Sequence, residues 1–270
     1  MTRLSLHALG PNVTPWKVGQ RVGVGWHGGH DFVCEQFRRG LFINCVNAKI
    51  TGISHDGGYA EYVVVPAESV ARIPEGLAAI DAGPLMCAGV TTYNSLRNSG
   101  ARRRHSGSAR HRWARTSGDP VRVAHGISDG RDLARRRQSA ARTRAHEYID
   151  TQSVPAAEAL QKLGGADLVL ATAPNSEAIA STAGGLKPRG KLLIVAAPFE
   201  PLSVSAFGLL SGKSVAGWPS GSAIDSEDAM AFSALTAVKP RVETFKLEQA
   251  ELALAKMLEN RVRFRAVLVP

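Results

Sequence analysis

From residue 150 to the end, the chain alternates short apolar runs with stretches of helical character, and this pattern narrows the fold more than any other feature. The apolar runs fall at 166–172, 190–196, 213–218 and 263–269. Between them, 175–183, 203–210, 226–236 and 247–259 read as helices. The runs are too short to be helices and too continuous to have one wet face. Strands covered on both faces and separated by helices imply an α/β fold with a parallel, doubly wound sheet.

The N-terminal part follows a different rule. Arg21 to Trp26 reads as a short strand ending at a Gly-rich turn, and Gly57-Gly58 precedes an apparent strand from Tyr59 to Val65 that Pro66 stops. Ala71 to Pro74 is another extended piece. From Ala78 to Leu96 the pattern turns helical, with a small-residue stretch through Gly89. A β-rich lobe therefore precedes the α/β part. The expected division is 1–85 for the β-rich lobe, 86–240 for the doubly wound domain, and 241–270 for a return to the first lobe.

One segment fits neither half. The chain carries a formal charge of +10, and residues 102–144 hold 13 Arg, no Lys and three acids. The remaining residues carry as many acids as bases. A uniformly basic surface would suggest nucleic acid; a neutral chain with one Arg-rich insert does not, and the insert has one aromatic residue, Trp113. It lacks apolar periodicity and should not form a core. A structureless run of that length inside a compact domain conflicts with the surrounding order.

Other classes are excluded by composition. No apolar run is long enough to span a bilayer. The first residues lack the apolar core of a secretory signal. Three cysteines do not make a disulfide scaffold, so a reducing cytoplasm is the expected compartment.

Three stretches in order carry a family resemblance: Lys17 to Trp26, Gly57 to Tyr62, and Cys87-Ala88-Gly89-Val90-Thr91-Thr92-Tyr93. Together they resemble the zinc-dependent alcohol dehydrogenase branch of the medium-chain dehydrogenases/reductases. The resemblance implies a GroES-like catalytic lobe and a Rossmann-type cofactor domain. It also implies zinc and NAD(P) as cofactors, a small alcohol or aldehyde as substrate, and a possible homo-oligomer.

The resemblance further implies roles for single residues. Cys87 matches one ligand of the catalytic zinc. The other ligands, a Cys and a His-Glu pair, would precede Gly10, so the chain as read is expected to be truncated. A second, structural zinc uses four Cys spaced x2, x2, x7, and those positions are here Asp31, Cys34, Phe37 and Cys45. A closed tetrahedral site needs four ligands, and a phenyl ring supplies none. A metal-free lobe with two thiols, its loop mobile for want of a clamp, is expected over a three-ligand site. Thr91 matches a position near the nicotinamide, Val195, Ala196 and Ala197 a backbone contact to its carboxamide, and Arg265 a contact to the pyrophosphate. Outside the resemblance, Cys87 reads as a small buried residue, Val195 as core and Arg265 as a surface cation. His27, His30 and His55 lie in the same Gly-rich loops and read as structural or solvated.

The family places a strand and a Gly-rich turn where this chain has its Arg-rich run. Glycines there let backbone N–H groups reach the dinucleotide phosphates at a helix N-terminus. Synonymous codons for residues 103–118, read one base later, permit a buried strand running into a G-x-G-G-x-G turn. Arg in excess without Lys is what misread GC-rich codons produce. A shifted frame across 102–144 is therefore the favoured account, and the chain as written is expected to be inactive. The competing expectations are a non-catalytic remnant and an Arg-rich segment that binds nucleic acid or acidic partners.

Overall fold

The computed structural model describes residues 5–100, 149, 151, 153–196, 198–259, 261–262 and 264–270. The Arg-rich run and Ala197 lie outside the described residues. The chain divides into two compact units, Met1–Asn94 with Ser220–Pro270, and Ser95–Pro219.

In chain order, β1 (Val22–Val24), β2 (His27–Gly29), α1 (Glu35–Arg38), β3 (Lys49–Ile50) and β4 (Val70–Arg72) come first. They are followed by α2 (Ala79–Pro84), a π-helical turn (Leu85–Gly89) and α3 (Val90–Asn98). The next run is α4 (Ala156–Lys162), β5 (Ala166–Ala171), α5 (Ser176–Ser181), β6 (Leu186–Ile194), α6 (Ala206–Leu209) and β7 (Ser214–Gly217). The chain closes with α7 (Ala223–Thr236), β8 (Val242–Lys246), α8 (Ala250–Leu258) and β9 (Arg265–Val269).

The first unit is held by small antiparallel pairings and long side chains. β1 pairs with β4 and β2 with β3. Trp16 is buried with Val22 and Val70, and its indole N–H donates to the Ala67 carbonyl at 3.1 Å. The Arg21 guanidinium donates to the carbonyls of Pro74, Glu75 and Leu77, satisfying acceptors in a segment that makes no strand. Met230 of α7 is fully buried among Ala71, Ile73, Leu77, Ala82, Leu85 and Met86. The Arg72 amide donates to Glu227 on the same helix at 2.9 Å. β8 and β9 run parallel in register from Val242↔Arg265 to Lys246↔Val269.

The second unit carries the parallel sheet, in the order β5-β6-β7. Its two faces can be read from alternate residues of β5. Val169 and Ala171 pack with Leu192, Leu160 and Ile179. Leu168 and Leu170 pack with Leu193 and Leu96. Both faces are dry, as a parallel sheet sandwiched by helices requires. Asn175 caps α5, its side chain accepting from the Ala178 amide at 2.8 Å.

Two segments differ from the sequence expectation. Residues 59–65 form no strand; Tyr59, Tyr62 and Val64 are exposed, and no ladder partner faces them among the described residues. Alternating apolar residues suit a strand only where a second strand takes up their backbone groups. Conversely, β8 was not expected, because Glu243 and Lys246 dilute its apolar pattern; its buried anchor is Phe245.

Candidate functional site

The loop from β2 to β3 brings three potential ligands together. One donor atom each from Asp31, Cys34 and Cys45 lies within 4.8 Å of the others. The Cys34 and Cys45 Sγ atoms are 3.6 Å apart. The Asp31 amide donates to Cys45 Sγ at 3.4 Å, and the Phe37 amide to Cys34 Sγ at 3.3 Å. Cys34 caps α1. Burial pushes the Cys45 thiol upward, while the Asp31 and Asn47 amides pull it the other way.

Asp31 already accepts three hydrogen bonds. Its Oδ1 accepts from the amides of Val33 and Cys34, both at 3.0 Å, and its Oδ2 accepts from Asn47 Nδ2 at 2.8 Å. These donors hold its carboxyl well below the usual carboxylate range, the Cys34 amide contributing most. The place of the remaining ligand is taken by Phe37, whose ring lies 4.9 Å from His30, 5.4 Å from Phe32 and 5.3 Å from Phe42. A structural zinc held by four thiolates therefore does not fit this loop: it has two sulfurs, a carboxylate committed to hydrogen bonds, and a phenyl ring.

The neighbouring histidines belong to the same packing. His27 is buried, and its Nε2 lies 3.4 Å from His30 Nδ1. Its Nδ1 is buried, and among the described residues it has no hydrogen-bond partner. Burial lowers the His27 pKa, the nearby His30 lowers it further, and Glu68 and Asp225 oppose them. His55 packs over Gly28, its Nε2 3.2 Å from the Gly28 carbonyl oxygen. A Cβ on Gly28 would stand 2.8 Å from the Thr51 amide nitrogen, so only glycine fits there.

Cys87 sits in the π-helical turn and is exposed, not the small buried residue that its reading outside the resemblance expected. Pro84 ends α2 and has no N–H to donate, so the α-helical ladder breaks there and the chain widens before α3 resumes. Such turns recur at functional sites. Cys87 offers one thiolate, and among the described residues it belongs to no group of three or more possible ligands. A catalytic zinc therefore does not fit the described residues, which offer it one ligand.

Thr91 stands one turn further on. Its hydroxyl donates to the Cys87 carbonyl at 2.7 Å and lies 3.1 Å from Ser220 Oγ. Val195 and Ala196 follow β6 directly, and their amides both donate to the Ala171 carbonyl, at 3.0 and 3.3 Å. Val195 packs on the Leu168–Leu170 face of the sheet. Arg265 opens β9 and is exposed. Asp31, Cys34 and Cys45 thus form one cluster, and Cys87 and Thr91 share one helical segment. The Phe32–Phe37–Phe42 cluster had a signal in the sequence: aromatic residues at every fifth position between β2 and β3.

Residues 5–75 match the alcohol dehydrogenase GroES-like domain. The chain is 40% identical over 272 residues to alcohol dehydrogenase patD of Penicillium expansum, spanning 97% of this chain and 78% of that protein. It is 27% identical over 271 residues to aldehyde reductase AdhA of Synechocystis, spanning 97% and 78%. A solved cinnamyl alcohol dehydrogenase from Sorghum bicolor superposes with a TM-score of 0.79 at 24% identity, covering 98% of this chain and 79% of that one, which shows a shared fold. With the β-rich lobe, the parallel sheet and the Cys87 turn in place, the chain belongs to the zinc-dependent alcohol dehydrogenase family of the medium-chain dehydrogenases/reductases.

Proposed function

We propose that this alcohol-dehydrogenase-like oxidoreductase descends from an enzyme that moves hydride between a small alcohol or aldehyde and NAD(P), and that the chain as written does not turn over. The observation that carries the reading is the composition of residues 102–144. Where a strand and glycine turn should cradle the pyrophosphate, the sequence has 13 Arg and no G-x-G. In the family, zinc polarises the alcohol oxygen and the nicotinamide accepts the hydride. The residues of this chain would act around that chemistry. Thr91 would orient the nicotinamide side with its hydroxyl, the backbone at Val195 to Ala197 would meet the carboxamide, and Arg265 would face phosphate oxygens. Without a glycine cradle these contacts act alone.

Two measurements test this. Resequencing the locus through the codon for residue 150 should reveal a one-base displacement across 102–144; a confirmed written frame overturns the shifted-frame account. NADH or NADPH fluorescence titration of the chain as written should show no saturation up to about 1 mM, a concentration at the upper end of ordinary KM values. Saturable binding with dehydrogenase turnover would overturn the proposed inactivity.

A further inference from the structure

The loop between β2 and β3 matches the family's structural zinc loop in spacing but not in chemistry. Two of its four ligand positions have changed, and both replacements are engaged in other bonding. Asp31 accepts three hydrogen bonds from the loop's own N–H donors, from Val33, Cys34 and Asn47. Those bonds tie the loop's first turn to Asn47, which stands just before β3. Phe37 occupies the third ligand position with a ring packed on His30, Phe32 and Phe42. His30 also lies 4.7 Å from Phe32 and 5.4 Å from Phe42. Four aromatic rings, in edge, tilted and stacked contacts centred on His30 and Phe37, thus fill the loop.

We infer that this lobe has exchanged its structural metal for a hydrogen-bonded aspartate and an aromatic cluster, and that Phe37 is the residue that bars zinc. The Oδ1 of Asp31 is taken by two backbone N–H groups, so Asp31 could offer a cation at most its Oδ2, in competition with Asn47. With that oxygen and the two sulfurs of Cys34 and Cys45 a zinc ion would have three ligands, one short of the closed tetrahedron that makes such sites stable, and Phe37 supplies none. The aromatic contacts, by contrast, form without any ion. Cys34 and Cys45 remain as two thiols of a metal-free loop.

Alkylation of the full chain by iodoacetamide, with and without added zinc and mapped by peptide mass spectrometry, tests this directly. A metal-bound thiolate is shielded from alkylation, whereas a free one is not. Cys34 should label at the same rate in both conditions in the unaltered chain. In Phe37→Cys, which supplies a third sulfur beside Asp31, zinc should slow Cys34 labelling by about tenfold or more. Zinc protection of Cys34 in the unaltered chain overturns the inference, and so does a folded Phe37→Cys that zinc leaves unprotected. The first comparison needs no variant, so it stands even if Phe37→Cys does not fold. As an independent readout, the melting temperature of the unaltered chain should not respond to a zinc chelator; a chelator-induced fall that Cys34→Ser abolishes would overturn it.

Discussion

At the scale of the residue, His27 shows how burial becomes a pH dependence. Its pKa is lowered, first by burial and then by His30. A histidine held neutral in the fold protonates more readily in the unfolded chain. Its contribution to stability is therefore complete above the ordinary histidine pKa, about 6.5, and is lost as pH falls through the window below it. Thermal melts should show stability falling from neutral pH toward pH 5, and His27→Leu should flatten that slope. At pH 8 the same substitution should cost little, because it also removes a buried nitrogen that lacks a partner among the described residues; an unchanged slope in His27→Leu would contradict this account. The sequence could place this histidine in a Gly-rich loop but could not say what surrounded it. Its environment comes from His30, Glu68 and Asp225, the last supplied by a helix far along the chain. The same holds for Asp31. From spacing alone it stands where a ligand would be, and only its three donors show that its oxygens are drawn into the loop's own hydrogen bonds.

At the scale of the element, the β5-β6-β7 sheet was legible because its strands are apolar on both faces, a pattern that survives without any partner in view. The helices were legible from their local pattern, but not from their caps: Asn175 caps α5, and the capping box of Ser222 with Asp225 starts α7 at Ala223, three residues before the expected 226. Residues 59–65 and β8 were not legible, since whether an alternating segment becomes a strand depends on a neighbour elsewhere in the chain. These differences carry measurable energies. Leu192→Ala, at a fully buried position in β6, should cost about 3 kcal/mol in denaturant melts. Asn175→Ala should cost about 1 kcal/mol through loss of the bond to the Ala178 amide. Equal costs for the two would mean that the sheet core is looser than its packing indicates.

At the scale of the whole molecule, the family was legible because three motifs lie in the right order, and the Arg-rich run stood out because it breaks that order. The first unit is made of two stretches separated by the entire second unit. Its core is completed by Met230, and its β4 edge is tied to Glu227. A chain ending at residue 219 lacks both groups. It should lose the cooperative melting of the first unit while the Leu168–Leu193 packing of the second persists; retention of two cooperative transitions would show that α7 is dispensable. The same arrangement sets a timetable during synthesis. Ala71, Ile73, Leu77 and Met86 leave the ribosome long before the helix that covers them. At ordinary elongation rates that interval is on the order of ten seconds. For that time the nascent lobe presents an uncovered apolar face, the kind of surface that chaperones bind and that collisions between nascent chains can trap, until α7 emerges.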